Sequence, residues 1–477
     1  MIKIEDAIEK YYWLIYTFLL VVSGLMYVFL AVGGGYIWAD EAYTMYVIKY
    51  SYKEIWDLVV VDVHLPLYYF ALKLFVEPFG YSLLAARLFS VIPFVILIAI
   101  AGIQLKKLFD KKTAVVFMIM FLLFPFLVNY VIEIRMYSWA ALLIFLNAIY
   151  AYRCYLNNKS TDWFVFFLTG IMGEYTHYFT LVSVGVIYGI LFLTLFYKRE
   201  LWKNYIISAV ATIIAYVPWI SHMVEQFTLH IDRKTWIGEI TIGDIIEYVK
   251  SIFGTEAVNM SVPFAALFYL VAFIYIWKKG NKKDKYIALS MLFVPIGTIG
   301  VGVLASILIK PMFVIRYAIP AIPLMVLFMA FSIGKMRSVV LITMICTFFI
   351  TEGIGHYAYR LDLEYAKRDD ALDDIFLEQY EECDGYVVMT ASDHFSWILS
   401  YYDSEKSIYI NKEKYSSNPY KNQYEIKFFE PEKYECVMLL IDSGQEIPEK
   451  YKKIYNCEYI SKLEEKGSFA DVYIMRQ

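Results

Sequence analysis

The sequence predicts a polytopic α-helical membrane protein of about eleven spans, followed by a water-soluble α/β domain. Three observations carry this reading. Of 477 residues, 60% are hydrophobic and only 19% are charged, against about 25% charged in ordinary soluble chains. The charges are also segregated: residues 1–355 are long apolar runs, whereas 356–477 are rich in Lys, Glu, Asp and Tyr, which sets the domain boundary. Finally, the basic residues of the short connectors cluster on alternate connectors, as the retention of Lys and Arg in the cytoplasm requires. A net charge of −4 leaves no basic surface for nucleic acid. No internal repeat and no low-complexity tract is visible.

A hydrocarbon core of about 30 Å needs about 20 apolar residues as helix. Spans are expected at 14–36, 82–105, 113–130, 137–156, 163–176, 178–197, 204–221, 261–277, 286–309, 315–334 and 338–355. The first is too long for a signal-peptide core, and no small-x-small site follows it. Lys106, Lys107, Lys111 and Lys112 crowd one connector. Arg153 with Lys159, Lys198 with Arg199 and Lys203, the five lysines of 278–285, and Lys335 with Arg337 follow. With eleven spans all of these are cytoplasmic together with the N-terminus, and the C-terminal domain is outside. Two segments bear on the parity. Residues 163–197 are read as a hairpin turning at Glu174, Thr176 and His177, and Pro66 to Phe79 as an amphipathic helix on the outer membrane surface.

This topology collects polar residues on one outer face. The first outer loop, 37–81, holds Trp38, Asp40, Glu41, Asp57, Asp62 and His64. The second holds Glu133 and Arg135, the hairpin turn Glu174 and His177, and a long loop at 222–260 holds His222, Glu225, His230, Asp232, Arg233 and Lys234. Lys310 and Arg316 close the set. Ionisable groups at a membrane boundary are costly unless paired or solvated, so their clustering suggests a site. Carboxylates facing cations suit a reaction that takes a proton from one group and receives a phosphate from another.

Each residue also has a plainer reading. Asp40 follows Gly33–Gly35 and precedes an apolar run, as a helix N-cap would. Glu41 suits the first turn of that helix. Arg135 suits interfacial snorkelling, and His177 a satisfied interfacial position. Lys310 and Arg316 run against the charge trend and ask for a reason beyond anchoring. His64 has metal-ligand chemistry, but no HxxE or HxH spacing supports a metal site. On these grounds alone the outer face suits an enzyme or a transporter equally.

Four segments add a resemblance. "WADEAYTMYVIKYSYKEIWDLVVVDVHLPLYYFALKLF" (38–75) resembles the first outer loop of the GT-C glycosyltransferases, which include protein O-mannosyltransferases and lipid A aminoarabinose transferases. Those proteins carry an acidic pair after the first span and then a D-x-H-P-P-L-type segment. Here these are Asp40-Glu41 and the run from Asp62 through His64 to Tyr69, with Leu65 where the family usually has proline. "EIRMYSWAALL" (133–143) is similar to the signature that opens the family's fourth span. "KPMFVIRYAIPAIPLMVL" (310–327) resembles its late R-Y-x-x-P-x-x-P segment, and "YTHYF" (175–179) a string often found between them.

The resemblance implies a GT-C fold over residues 1–355. It also implies inverting transfer of a sugar from a polyprenyl-phosphate donor to a glycan, lipid or protein acceptor outside the cytoplasm. It casts Asp40 as general base and Glu41 as the residue that positions the site. Arg316, Lys310, Tyr317 and Arg135 are expected to bind the donor phosphate, and His64, Glu133 and His177 to bind acceptor or sugar. It implies no metal and no cofactor. The competing reading is a transporter or flippase of lipid-linked sugars, which would usually show internal repeats and helices broken at mid-membrane depth.

In the C-terminal domain a polar helix is expected near 362–382, and strands at "GYVVMTAS" (385–392), "SIYIN", "EIKFF", "CVMLLIDS" and "DVYIMR". A helix at 393–402 is expected to be capped by Asp393; Asp393 and His394 suit a structural cap better than a catalytic turn. Cys383, Cys436 and Cys457 allow at most one disulfide within the domain. Its expected role is to cover the active site or recognise the acceptor.

Overall fold

The computed structural model describes residues 2–35, 37–231, 237–253 and 261–369, and in the C-terminal part 383, 385–389, 396, 398–399, 407–410, 427–428, 430, 433–465 and 468–477. The helices in chain order are α1 (Ile2–Gly33), α2 (Ala39–Val47), α3 (Tyr52–Val61), α4 (Pro66–Val76), α5 (Leu83–Leu108), α6 (Lys111–Leu122), α7 (Pro125–Val128), α8 (Tyr137–Asn157) and α9 (Ser160–Glu174). They continue with α10 (Tyr178–Leu195), α11 (Trp202–Ile231), α12 (Ile242–Phe253), α13 (Ser261–Lys279), α14 (Lys282–Leu308), α15 (Ile322–Lys335) and α16 (Val339–Asp369). A 3-10 segment, Ile315–Ala321, leads into α15.

Among the described residues nine helices are long and apolar enough to cross a membrane, and the chain is a multi-pass helical membrane protein. The count of eleven rests on two further helices that are present but short. One is α9, with 15 residues. The other is α6, which stops at Leu122 because Phe124 precedes Pro125 and turns extended, as a residue before proline is driven to do. The hairpin expected at 163–197 forms, with its turn at Tyr175–His177 between α9 and α10.

The first part of the loop expected at 222–260 is helical instead, because α11 runs through Pro218 to Ile231. Spanning helices tolerate such a proline when neighbouring groups satisfy the freed carbonyl. Asp232, Arg233 and Lys234 lie outside the described residues.

The chain divides into two compact units, Met1–Gly33 with Val63–Glu364, and Gly34–Asp62 with Tyr365–Gln477. In the first, the segment Ile315–Lys335 is almost wholly enclosed, whereas α1, α11 and α16 turn most of their surface outward. The basic connectors meet at one end of this bundle. Lys112 pairs with Glu5 at 3.1 Å and donates to the Met336 carbonyl at 3.1 Å. Arg153 joins Gln104 and Asp162 at 3.0 and 2.8 Å, Lys198 reaches the Tyr155 carbonyl at 2.7 Å, and Lys335 pairs with Asp284 at 3.1 Å. Side-chain caps start the helices here: Asp110 accepts from the Thr113 N–H at 2.6 Å and Asn281 from the Asp284 N–H at 2.9 Å, satisfying donors that a helix end leaves open.

The second unit contains a six-stranded sheet of order β3-β2-β1-β4-β6-β5. Its strands are β1 (Gly385–Met389), β2 (Ser407–Ile410), β3 (Lys427–Phe428), β4 (Cys436–Asp442), β5 (Asn456–Glu465) and β6 (Ser468–Arg476). The first four pair in parallel; β6 runs antiparallel to β4 and β5 antiparallel to β6. Central parallel strands covered on both faces read as continuous apolar runs, and β1 and β4 do. Tyr386, Met438 and Leu440 pack on one face, and Val387, Val437 and Leu439 on the other. Cys383 and Cys436 are disulfide-bonded, within the limit of one bridge that the cysteine count allows. The strand β5 was not foreseen, because "NCEYISKLEE" lacks the apolar alternation of a half-buried strand and forms a polar edge. The helix expected at 362–382 is, as far as Asp369, the continuation of α16. Residues 370–382 lie outside the described residues, as do Asp393 and His394.

Candidate active site

The predicted residues are carried by both units. In the unit containing Gly34–Asp62, α2 begins at Trp38, whose extended backbone makes it the N-cap, and Glu41 accepts the Trp38 N–H at 3.5 Å. Asp40 is therefore the second residue of the helix and not its cap. Its backbone carbonyl takes the Thr44 hydroxyl at 2.8 Å. Glu41 is buried and combines a first-turn position that the helix dipole favours with a hold on the chain entering the helix. Asp62, buried at the end of α3, accepts a hydrogen bond from the Tyr43 hydroxyl of α2. That bond sets the two helices of the acidic loop against each other.

In the membrane unit, Leu65 is extended and Pro66 opens α4 at its first position, where a missing N–H costs nothing. His64 stands just before this start. The segment is held from several sides: Leu67 N–H bonds to the Tyr175 carbonyl at 3.3 Å, and Gln226 donates to the His64 carbonyl at 3.2 Å. Gln226 in turn accepts from the Tyr178 hydroxyl, which itself accepts from the Trp219 indole at 3.0 Å. The His64 Nε2 faces a guanidinium nitrogen of Arg135. Arginine only donates, so Nε2 accepts and the ring proton sits on Nδ1. A tight turn, with the Arg135 N–H on the Glu133 carbonyl at 2.7 Å, places both residues ahead of α8.

The 3-10 segment supplies Arg316 and Tyr317. The Arg316 guanidinium lies 5.9 Å from the Tyr317 ring centre, and that ring packs on His177 at 5.2 Å and stacks on Phe179 at 5.3 Å. These pieces meet around the buried Tyr137. Arg316, Arg135, Tyr317 and Glu133 all act electrostatically on its phenol, and its ring meets His177 edge-on at 5.7 Å. The structure thus gathers His64, Glu133, Arg135, His177, Arg316 and Tyr317. Lys310 stands on the exit from α14, its N–H on the Ala305 carbonyl at 3.3 Å, and is not among the groups acting on His177 or Tyr137. Among the described residues no group of three or more His, Cys, Asp or Glu side chains is placed to hold a metal ion.

The electrostatics are one-sided. Burial first, and then the neighbouring His64, Arg135 and Arg316, hold His177 far below its usual range, at about 3. Its imidazole is therefore neutral near pH 7. Nδ1 accepts the Phe179 N–H at 3.2 Å, which leaves Nε2 carrying the proton as a donor. The result is a pair of permanent cations and a neutral donor around an aromatic floor, an arrangement suited to an anionic head group. Sequence reasoning passed over Tyr137, although it lies inside the quoted "EIRMYSWAALL". It also passed over Gln226, which no local motif marks, and over Tyr43, Phe179 and Phe313, which lie inside quoted segments without being singled out.

No protein-family model and no curated protein matches the sequence at a significant level. Solved structures do. The chain is similar to ArnT from Cupriavidus metallidurans in its apo state, with a TM-score of 0.65, 11% identity, and 96% of this chain and 97% of that one covered. The same protein bound to undecaprenyl phosphate aligns with a TM-score of 0.66 at 12% identity, covering 97% and 98% of the two chains. Over almost its whole length the chain therefore shares the fold of ArnT.

Proposed function

We propose that the protein is a membrane glycosyltransferase that moves a sugar from a polyprenyl-phosphate donor to an acceptor outside the cytoplasm, with inversion at the anomeric carbon. The observation that carries this reading is the cluster of Arg135, Arg316 and neutral His177 around Tyr137. It lies within a fold shared with a protein solved with undecaprenyl phosphate bound. A lipid tail keeps such a donor at the membrane boundary. In the reaction the acceptor hydroxyl oxygen attacks the anomeric carbon, the bond from that carbon to the phosphate oxygen breaks, and the acceptor proton passes to a carboxylate. Asp40 takes that proton, and Glu41 positions Asp40 through its hold on Trp38. The leaving polyprenyl phosphate gains charge, which fixed guanidiniums stabilise better than solvent does. Arg316, Arg135 and Tyr317 fill that role; Lys310 draws the donor in from the exit of α14. His64, Glu133 and His177 contact the sugar or acceptor.

The basic connectors gathered at one end of the bundle support a cytoplasmic N-terminus and an external C-terminal domain. The Cys383–Cys436 disulfide supports the latter, since disulfides persist in oxidising compartments. The test is Asp40→Asn in full-length protein, assayed with a defined polyprenyl-phosphate sugar. Loss of a positioned general base costs about 10²–10⁴ in rate. Wild-type product formation at equal expression would remove Asp40 from the chemistry. Binding and translocation of the lipid-linked sugar without transfer would favour a flippase.

A further inference from the structure

A cavity of about 420 Å³ opens between α8, α10, α14 and α15, within the range of about 300–1,000 Å³ typical of small-molecule sites. Its lining on α8 runs from Ala148 to Tyr155, ~17 to ~27 Å along the helix from Tyr137 at 1.5 Å per residue. Along α14 the lining runs from Lys282 to Val294, ~18 Å of helix, and half of a bilayer's hydrocarbon core is about 15 Å. The walls are aliphatic and aromatic, with Ile187, Leu191 and Leu327 among them.

The mouth carries the second observation. Lys282 and Lys283 line it and are exposed. Three basic neighbours are engaged: Lys335 with Asp284 at 3.1 Å, Lys285 over the Trp277 ring at 5.4 Å, and Lys198 over the Tyr155 ring at 4.3 Å. Among the described residues Lys282 and Lys283 have no ion pair or hydrogen bond. They also stand in the first turn of a 27-residue helix, where the helix dipole adds positive potential.

We infer that this cavity binds an anionic glycerophospholipid, with one acyl chain between α10 and α14 and its phosphate on Lys282 and Lys283. A basic rim over an apolar slot between membrane helices is what such a head group recognises. The depth of a single leaflet suits an acyl chain and not the far longer chain of a polyprenyl carrier. Because α10 starts at His177 and α14 ends near Arg316, the bound lipid braces two helices that build the opposite end.

The experiment measures thermal unfolding of the detergent-solubilised full chain against added phosphatidylglycerol, phosphatidylcholine or undecaprenyl phosphate. Phosphatidylglycerol is expected to raise the midpoint with increasing concentration and phosphatidylcholine to leave it unchanged; any shift with undecaprenyl phosphate, which the active-site cations also take, should be the same in wild type and in the Lys282/Lys283 variant. The double variant Lys282→Gln/Lys283→Gln should bind phosphatidylglycerol about thirtyfold more weakly, taking about 1 kcal/mol per surface cation. Lys278→Gln/Lys279→Gln, an equal charge change on exposed residues outside the cavity, should bind as wild type. Ser290→Phe, which fills the slot, should abolish the shift. An equal shift with phosphatidylcholine would overturn the proposal in favour of non-specific lipid. So would a shift confined to undecaprenyl phosphate, or an unaltered response in the Lys282/Lys283 variant.

Discussion

Replacing Gly302 by alanine puts a methyl group into the ring stack that supports Tyr317. A Cβ built at Gly302 would stand 2.4 Å from Phe313 Cδ2 and 2.6 Å from Phe179 Cε1, about 1 Å short of an ordinary contact. Neither ring has room to withdraw. Phe313 is fully buried, its N–H is held by the Ser306 hydroxyl at 2.9 Å, and its carbonyl takes the Tyr248 hydroxyl at 3.2 Å. Phe179 is stacked on Tyr317. The displacement must therefore pass into Tyr317 and the adjoining Arg316. Overpacking of this kind costs about 1–3 kcal/mol, and a 1 Å misplacement near reacting groups costs up to about 10²-fold in rate. Gly300→Ala is the control, since a Cβ there meets nothing within 4 Å, and a helical Gly→Ala change is then worth about 0.5–1 kcal/mol of added stability. Thermal unfolding and sugar transfer at varied donor concentration would be measured on both. Gly302→Ala should lower the unfolding midpoint and transfer, with the larger loss at low donor. If its activity and stability match those of Gly300→Ala, the stack does not support Tyr317 and the argument is refuted.

His177 lies below its unfolded value of 6.5, at about 3, so the unfolded chain takes up a proton first as pH falls. The stability is full above about pH 6.5 and is lost toward pH 3. His177→Asn keeps a capping acceptor and should flatten the stability profile in that window by up to about 1.4 kcal/mol per pH unit; an unchanged slope would place the titration elsewhere. Arg316→Ala and Arg135→Ala should each reduce transfer mainly by raising the donor KM, by about tenfold or more for a lost charge-assisted bond. A KM rise confined to the acceptor would contradict the phosphate role. Gly353→Ala should destabilise by about 1–3 kcal/mol, because its Cβ would meet the Leu123 carbonyl oxygen at 2.4 Å, and backbone cannot swing aside. Gly355→Ala, inside the same helix with open space, should add about 0.5–1 kcal/mol in the same unfolding assay.

The parts of the fold that rest on burial and charge were legible; those that rest on tertiary packing were not. The lysines of 106–112, 153–159, 198–203 and 335–337 mark one end of the bundle because charged connectors cannot be drawn through hydrocarbon, and the structure joins them by ion pairs. The helical course of 222–231 was not legible, because its polar residues suit a loop as well as the continuation of α11 past its apolar span. Asp40 looked like a cap from its place after three glycines, yet the chain enters α2 two residues earlier, at Trp38, and Glu41 closes it. The aromatic floor of Tyr137, Phe179 and Phe313 was invisible for a different reason. With 19% of the chain aromatic, no single ring stands out, and which rings meet depends on pairings more than 100 residues apart.

The way the cluster divides its charge bears on the chemistry proposed for it. Histidine could supply positive charge only by holding a proton, and among buried cations it cannot. His177 therefore stays neutral and keeps Nε2 as a donor, while the charge itself sits on Arg135 and Arg316, which do not lose it at any working pH. A phosphate arriving there meets cations already desolvated and oriented by His64, Tyr137 and Tyr317, so little reorganisation accompanies the growth of charge on the leaving oxygen. The need for a strong acid to protonate that oxygen disappears, because polyprenyl phosphate is a competent leaving group once its charge is met. What remains is removal of one proton from the acceptor, the task proposed for the Asp40 carboxylate.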